Sequence, residues 1–253
     1  MNQLNICIFA LLIVVFSDFS QGKLPSYIKI CNRNDPNIAK CITESVKNLQ
    51  PRLATGINDG DFKVPPLEPI KVDNIHIDRG PNFQAQVKNV ITRGAGKFVI
   101  EKMKVNLNDL IFDFQILLPK LEYKGKYSIN IKIINVVPII VNDKEFIGWA
   151  HNFRARVRLT GKKYTGPDGR TYIHFLPIQI KILADTGNFD ILLTDLFENS
   201  PTLEAIGKIF IAENKHYFLN EVIPSLEKNL SKHFTEASNE IVKRSSFDEL
   251  FPN

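Results

Sequence analysis

His76, His151, His174, His216 and His233 are the side chains from which acid–base or metal chemistry would have to be built. Histidines that bind a metal or relay protons recur at i, i+3 or i+4 on a helix face, or stand beside a cysteine or carboxylate cluster. None of the five pairs with another in that way. The chain also lacks G-x-S-x-G, H-E-x-x-H, the phosphate-cradling G-x-x-x-x-G-K-[ST], and a G-x-G-x-x-G after a strand. No catalytic residue, metal or cofactor is expected. Arg154, Arg156 and Arg158 alternate with apolar residues and form a basic stripe on one strand face. Such a stripe is either a solvated face or a weak docking surface for anionic lipid or a receptor. Asn229-Leu230-Ser231 is an N-glycosylation sequon. It falls in a helical pattern, so Asn229 must face solvent to be used.

The elements that position these residues are mostly strands. Phe112, Phe114, Ile116 and Leu118 form one face of a strand expected to end at Pro119. Tyr127, Ile129, Ile131 and Ile133 alternate with polar neighbours, the pattern of a half-buried antiparallel strand. Phe153, Ala155, Val157 and Leu159 alternate with the arginines. Residues 161–169 read as a hairpin loop, and the return strand 172–183 is broken by Pro177, which implies an edge or a bulge. On that strand His174 shares a face with Tyr172 and Leu176. It is either a core or rim histidine or a polar contact for a ligand headgroup. Strands are also expected over 71–77, 83–88, 97–105 and 189–193.

Helical spacing appears twice. Ile38, Ile42, Val46 and Leu49 predict a helix over 37–53, capped by Asn37 and weakened at Pro51. Leu219, Val222, Ile223, Leu226, Leu230, Phe234, Ile241 and Val242 predict a long amphipathic helix from 212 to 243. Residues 201–211 read as a separate short helix or loop. Pro224 should kink the long helix or mark a join. A long, twisted antiparallel sheet curling along this helix satisfies both patterns. The 18 phenylalanines then form either a filled core or the wall of an apolar cavity.

Residues 6–16 are a short apolar run, followed by Ser20 and Gly22 at the −3 and −1 positions of a cleavage site. Residues 1–22 therefore read as a signal peptide, and 23–253 as one secreted domain. Cleavage removes Cys7 and leaves Cys31 and Cys41, an even pair suited to a disulfide in an oxidising compartment. The formal charge of +5 is spread along the chain. It does not resemble a nucleic-acid footprint.

Several stretches together resemble the Takeout and juvenile hormone-binding protein family of secreted insect carriers. They are Leu24-Pro25 with Cys31, Asp35, Pro36 and Cys41; Pro66-Leu67-Glu68-Pro69; and Leu118-Pro119-Lys120-Leu121 with Gly125 and Tyr127. Asp168-Gly169-Arg170-Thr171-Tyr172, Phe218-Leu219-Asn220-Glu221 and the terminal Phe247-Asp248-Glu249-Leu250-Phe251-Pro252 complete the set. The resemblance implies an α+β fold of the tubular lipid-binding kind, with a highly curved antiparallel sheet around a long C-terminal helix and a short N-terminal helix. It implies a Cys31–Cys41 disulfide, an apolar tunnel and non-catalytic carriage of a hydrophobic small molecule, such as a hormone-like terpenoid, a fatty acid or another lipid, by an extracellular monomer in haemolymph or a similar fluid. The inward residues expected to touch it are Phe112, Phe114, Tyr127, Ile129, Phe153, Val157, Tyr172, Val222, Leu226, Leu230 and Phe234, with Tyr and His174 supplying orienting hydrogen bonds. The sequence lacks cysteines for the second disulfide of the hormone carriers proper, and 136–143 lacks the glycines common there. The broader Takeout-like branch fits better.

Overall fold

The computed structural model describes residues 24–60, 62–78, 80–81, 83–133, 137–184, 187–194 and 201–253. The leader expected over 1–22 lies outside the described residues. Helix α1 spans Ile38–Thr55 and buries Ser45, Leu49 and Leu53. Pro51 lies inside it and does not end it. Asn37 occupies the cap position without a side-chain capping bond. Its own N–H donates to Asp35 Oδ1 at 2.7 Å. Cys31 and Cys41 are joined by a disulfide that ties the N-terminal arm to α1.

After α1 comes a small ribbon, β1 (Ile57–Asp59) paired with β2 (Phe62–Val64). The main sheet follows: β3 (Ile70–Asp78), β4 (Phe83–Arg93), β5 (Val99–Asn106), β6 (Ile111–Ile133), β7 (Val137–Thr165), β8 (Thr171–Phe175), β9 (Gln179–Leu183) and β10 (Asn188–Leu193). Its spine runs β10-β7-β6-β4-β3, with β5 against β6 and β8 and β9 against β7. Every pairing is antiparallel. The last helices are α2 (Pro201–Val242) and α3 (Phe247–Leu250).

Several elements are longer than their sequence patterns, β4 among them. β6 has 23 residues and passes straight through Pro119. β7 has 29 residues. α2 has 42 residues with Pro224 inside, so 201–211 is its first part rather than a separate element. At about 1.5 Å per residue α2 reaches about 63 Å.

Pro119 survives in mid-sheet because of what faces it. Leu118 pairs with Phe153 and Lys120 with His151, which puts Pro119 opposite Asn152. Pro119 has no N–H to give, and Asn152 adopts a left-handed backbone with φ of 57°. Before this point the even residues of β6 face inward, Phe112, Ile116 and Leu118 among them. After it the odd ones do, Leu121, Tyr123 and Tyr127. β7 switches at the same place, from Phe153, Ala155 and Val157 to Phe146 and Ala150. Both strands change face together, so their register is kept. A second irregularity follows near Asp143, whose φ is 55°.

Pro177 separates β8 from β9, as a missing donor should. The helix then takes over the freed groups. Asn239 Oδ1 accepts from Phe175 N–H at 2.8 Å, Thr235 Oγ1 from Ile178 N–H at 2.9 Å, and Glu227 Oε1 from Ile182 N–H at 2.7 Å.

Two tyrosines fasten β10. Tyr123 crosses over Gly148 and its hydroxyl donates to the Asp190 carbonyl at 2.7 Å. The Tyr127 hydroxyl donates to the Thr194 carbonyl at 2.9 Å. A side chain at 148 would sit 2.5 Å from the Asp190 oxygen and inside the Tyr123 ring's contact distance. Gly148→Ala should therefore destabilise the fold by about 2 kcal/mol or more, read as a lowered urea midpoint at unchanged slope. A midpoint equal to the parent's would show that Tyr123 does not need this crossing.

Candidate functional site

The inner faces of the sheet and one side of α2 enclose an apolar cavity of about 320 Å³. That lies at the lower end of the range of roughly 300–1,000 Å³ for small-molecule sites. The sheet side is built from Val72, Ile75 and Ile77 on β3, Phe83, Ala85 and Val87 on β4, and Ile116, Leu118, Leu121 and Ile129 on β6. Phe146, Ala150, Phe153 and Val157 on β7, Ile180 and Ile182 on β9, and Phe189, Ile191 and Leu193 on β10 complete it. The helix side is a row of every fourth residue, Phe218, Val222, Leu226, Leu230 and Phe234, flanked by Leu219 and Ile223. Alternation in the strands and helical spacing in α2 put these side chains on one surface.

The space is stopped at one end by packed residues. Leu110, Phe112, Ile173, Phe175 and Phe247 form one cluster there. Leu49, Leu53, Ile57, Phe62, Val64, Leu67 and Ala237 form another, against which Phe234 also packs. The C-terminal tail closes over the N-terminal arm. Pro252 accepts from Arg33 N–H at 2.8 Å and Phe251 from Arg33 Nε at 2.6 Å. The same guanidinium pairs with Asp248 and lies 4.8 Å from the Phe247 ring centre.

Eight of the residues expected from the sequence line the cavity: Tyr127, Ile129, Phe153, Val157, Val222, Leu226, Leu230 and Phe234. Four do not. Phe112 faces inward but lies in the packed end, 5.8 Å from the Phe175 ring and 6.3 Å from Phe251. Phe114 is half-buried between that end and the cavity. Tyr172 and His174 lie on the outer side of β8. Ile173 and Phe175 are the buried pair on that strand, and His174 is exposed. The expected face of β8 is inverted because this short strand pairs only with the far end of β7, with Lys162 opposite His174. Tyr172 stacks on Tyr164 at 5.7 Å and donates to Asp168.

Most polar groups near the cavity are already engaged. The hydroxyls of Tyr123 and Tyr127 serve β10, and burial, then the nearby Asp190 carboxylate, push the Tyr123 phenol above its usual range. Lys215 Nζ donates to the Phe189 carbonyl at 3.2 Å and lies 3.4 Å from Asp190. Arg154 forms a forked pair with Glu101 at 2.9 to 3.1 Å. Arg158 does the same with Asp113 at 2.6 and 2.9 Å. These bonds hold both carboxyls below their usual range. The arginine stripe is thus largely a ladder of cross-strand ion pairs, with Arg156 exposed between them. Sequence reading missed Phe83, Tyr123, Phe146, Phe189 and Phe218 as lining. The same alternation marked the strands of Phe83 and Phe189, but nothing local marked which strands surround the helix.

The sequence model of the family Haemolymph juvenile hormone binding protein (JHBP) matches residues 7–252. A Schistocerca gregaria relative described as a "Putative beta-carotene-binding protein" is 25% identical over 227 residues, covering 89% of this chain and 88% of the relative. The crystal structure of Epiphyas postvittana Takeout 1 superposes with a TM-score of 0.74 at 18% identity, covering 89% of this chain and 100% of that one. The shared fold is the long helix wrapped by a curved antiparallel sheet.

At the hairpin, hydrogen bonds from Tyr172, then from Arg170, hold the Asp168 carboxyl down to about 2. A lowered folded value means that this contact contributes fully above pH 4 or so and is lost as pH falls through about 2. Tyr172→Phe should move the Asp168 carboxyl titration, followed by NMR, up toward the ordinary aspartate value. An unmoved titration would show that the tyrosine bond does not set it.

Proposed function

Because the chain belongs to the haemolymph juvenile hormone binding protein family, we propose that it is a non-catalytic carrier of an elongated hydrophobic small molecule held between α2 and the sheet. The observation that carries this reading is the cavity wall. It is almost wholly apolar on both sides, and the tyrosine hydroxyls, Arg154 and Lys215 in it are bonded to the protein itself. Each 100 Å² of apolar ligand surface buried there is worth roughly 2.5 kcal/mol before entropy costs. An ionised headgroup carried into the apolar part would lose its hydration, a large penalty, and the lining cations Arg154 and Lys215 already face Glu101 and Asp190. The ligand is therefore neutral along the part that enters, a hormone-like terpenoid, ester or hydrocarbon before a fatty-acid anion. The name of the Schistocerca gregaria relative points to a long polyene of that sort.

In this reading residues 1–22 are a leader, residues 23–253 are one domain, and the domain works as a monomer in an extracellular fluid. The cavity continues as a tunnel around the helix. Arg154 and Arg158 stabilise the sheet, which leaves little of the basic stripe for a membrane or a receptor.

Two experiments test it. Solvent extraction of the purified chain followed by mass spectrometry should release an apolar compound, and failure to find or load one across a broad lipid panel would sink the carrier reading. Displacement of a fluorescent lipophilic probe should show a long-chain methyl ester binding at least tenfold tighter than its acid at neutral pH. Leu226→Trp should weaken probe binding by tenfold or more, because it fills the space that the probe needs. Equal binding of acid and ester would overturn the neutral-ligand assignment alone.

A further inference from the structure

We propose that Asn229 is an N-glycosylation site that places a glycan on an exposed flank of α2, outside the cavity. The proposal rests on the reading that the chain enters a secretory route. Asn229-Leu230-Ser231 is the one sequon in the sequence with the N-x-[ST] form. The fold splits it cleanly between two environments. Leu230 lines the cavity, whereas Asn229 is exposed. Pro224, Lys228, Lys232 and Glu236 are exposed on the same stretch of helix, so a bulky polar attachment meets solvent there.

The chemistry needs an open chain. Asn229 Nδ2 must bond to the anomeric carbon of a lipid-linked oligosaccharide, the donor. The bond from that carbon to the pyrophosphate oxygen breaks, the lipid pyrophosphate leaves, and Nδ2 gives up one proton. The Ser231 hydroxyl has to reach the Asn229 amide for this to occur. In a closed helix residues two apart point about 200° from one another. Asn229 Nδ2 is also engaged there, donating to the Ser225 carbonyl at 2.8 Å.

The sequence around the site delays that closure. Pro224 lacks an N–H, and Asn and Ser are weak helix formers. Isolated helices gain little stability without packing, and this one packs only once the sheet has formed. Asn229 thus stays available while the chain is new and becomes locked when it folds. The glycan then stands clear of the ligand surface.

The test is secretion of the full chain from insect cells, with residues 23–253 behind an established leader in parallel. The peptide 228–236, released by a glutamyl endopeptidase so that Asn229 stays internal, should bear a glycan mass, and release by peptide-N-glycosidase F should leave aspartate at 229. Asn229→Gln and Ser231→Ala should each abolish the modification, with probe affinity changed less than twofold. Secreted chain carrying unmodified Asn229 in both arms would overturn the proposal. Modification in the second arm with no secretion in the first would support the site and reject the leader. Glycosylation of already folded chain by the solubilised transferase would overturn the requirement for an open helix.

Discussion

Every inward side chain takes its place from the register between β6 and β7. These two strands pair from Ile111 with Thr160 to Ile133 with Val137. All the other strands of the main sheet are attached to them, directly or through β4. A slip of one residue would turn Phe153, Ala155 and Val157 outward and bring Arg154, Arg156 and Arg158 in. The cross-strand pairs Arg154–Glu101 and Arg158–Asp113 count against such a slip, because they form only in this register. Each is worth little as an exposed pair. Their value lies in specifying the register on which the apolar face depends.

The same register explains how a strand pair this long can bend around a helix. A flat ladder would carry its faces unchanged from end to end. Pro119 and Asn152 interrupt it together, and both strands exchange faces at that point. Farther along, Gly148 makes room for Tyr123 to reach β10. At the opposite end the sheet gives its unpaired groups to Asn239, Thr235 and Glu227 of α2. Helix and sheet are joined by these hydrogen bonds and by Lys215 to the Phe189 carbonyl, with the apolar row of α2 between them.

Much of this was legible in the sequence. Alternation around Phe153 and Val157 and the spacing of Val222, Leu226, Leu230 and Phe234 assign the correct faces, because each segment is long and regular. The placement of Tyr172 and His174 fails where the segment is short. Between the hairpin and Pro177 only five residues pair, and either phase offers aromatic or aliphatic side chains. Phe112 has the right face and the wrong neighbours, since closure by Phe175, Phe247 and Phe251 is a long-range fact. Pro119 reads as an end because nothing in its own segment reveals a partner with a left-handed backbone. The fusion of 201–211 with the long helix is hidden because Asn214 interrupts the every-fourth-residue row between Phe210 and Phe218.

The row of every fourth residue on α2 has a consequence for shape. Four residues turn about 400° around the axis, so each step from Phe218 to Phe234 moves about 40° further in the helix's own right-handed sense. Over the four steps the lining surface winds through about 160°, nearly half a circuit. The wall that an elongated guest meets is therefore a screw surface of fixed hand. Mirror-image guests of identical composition would trace it differently, so chirality is written into the container before any polar contact is made.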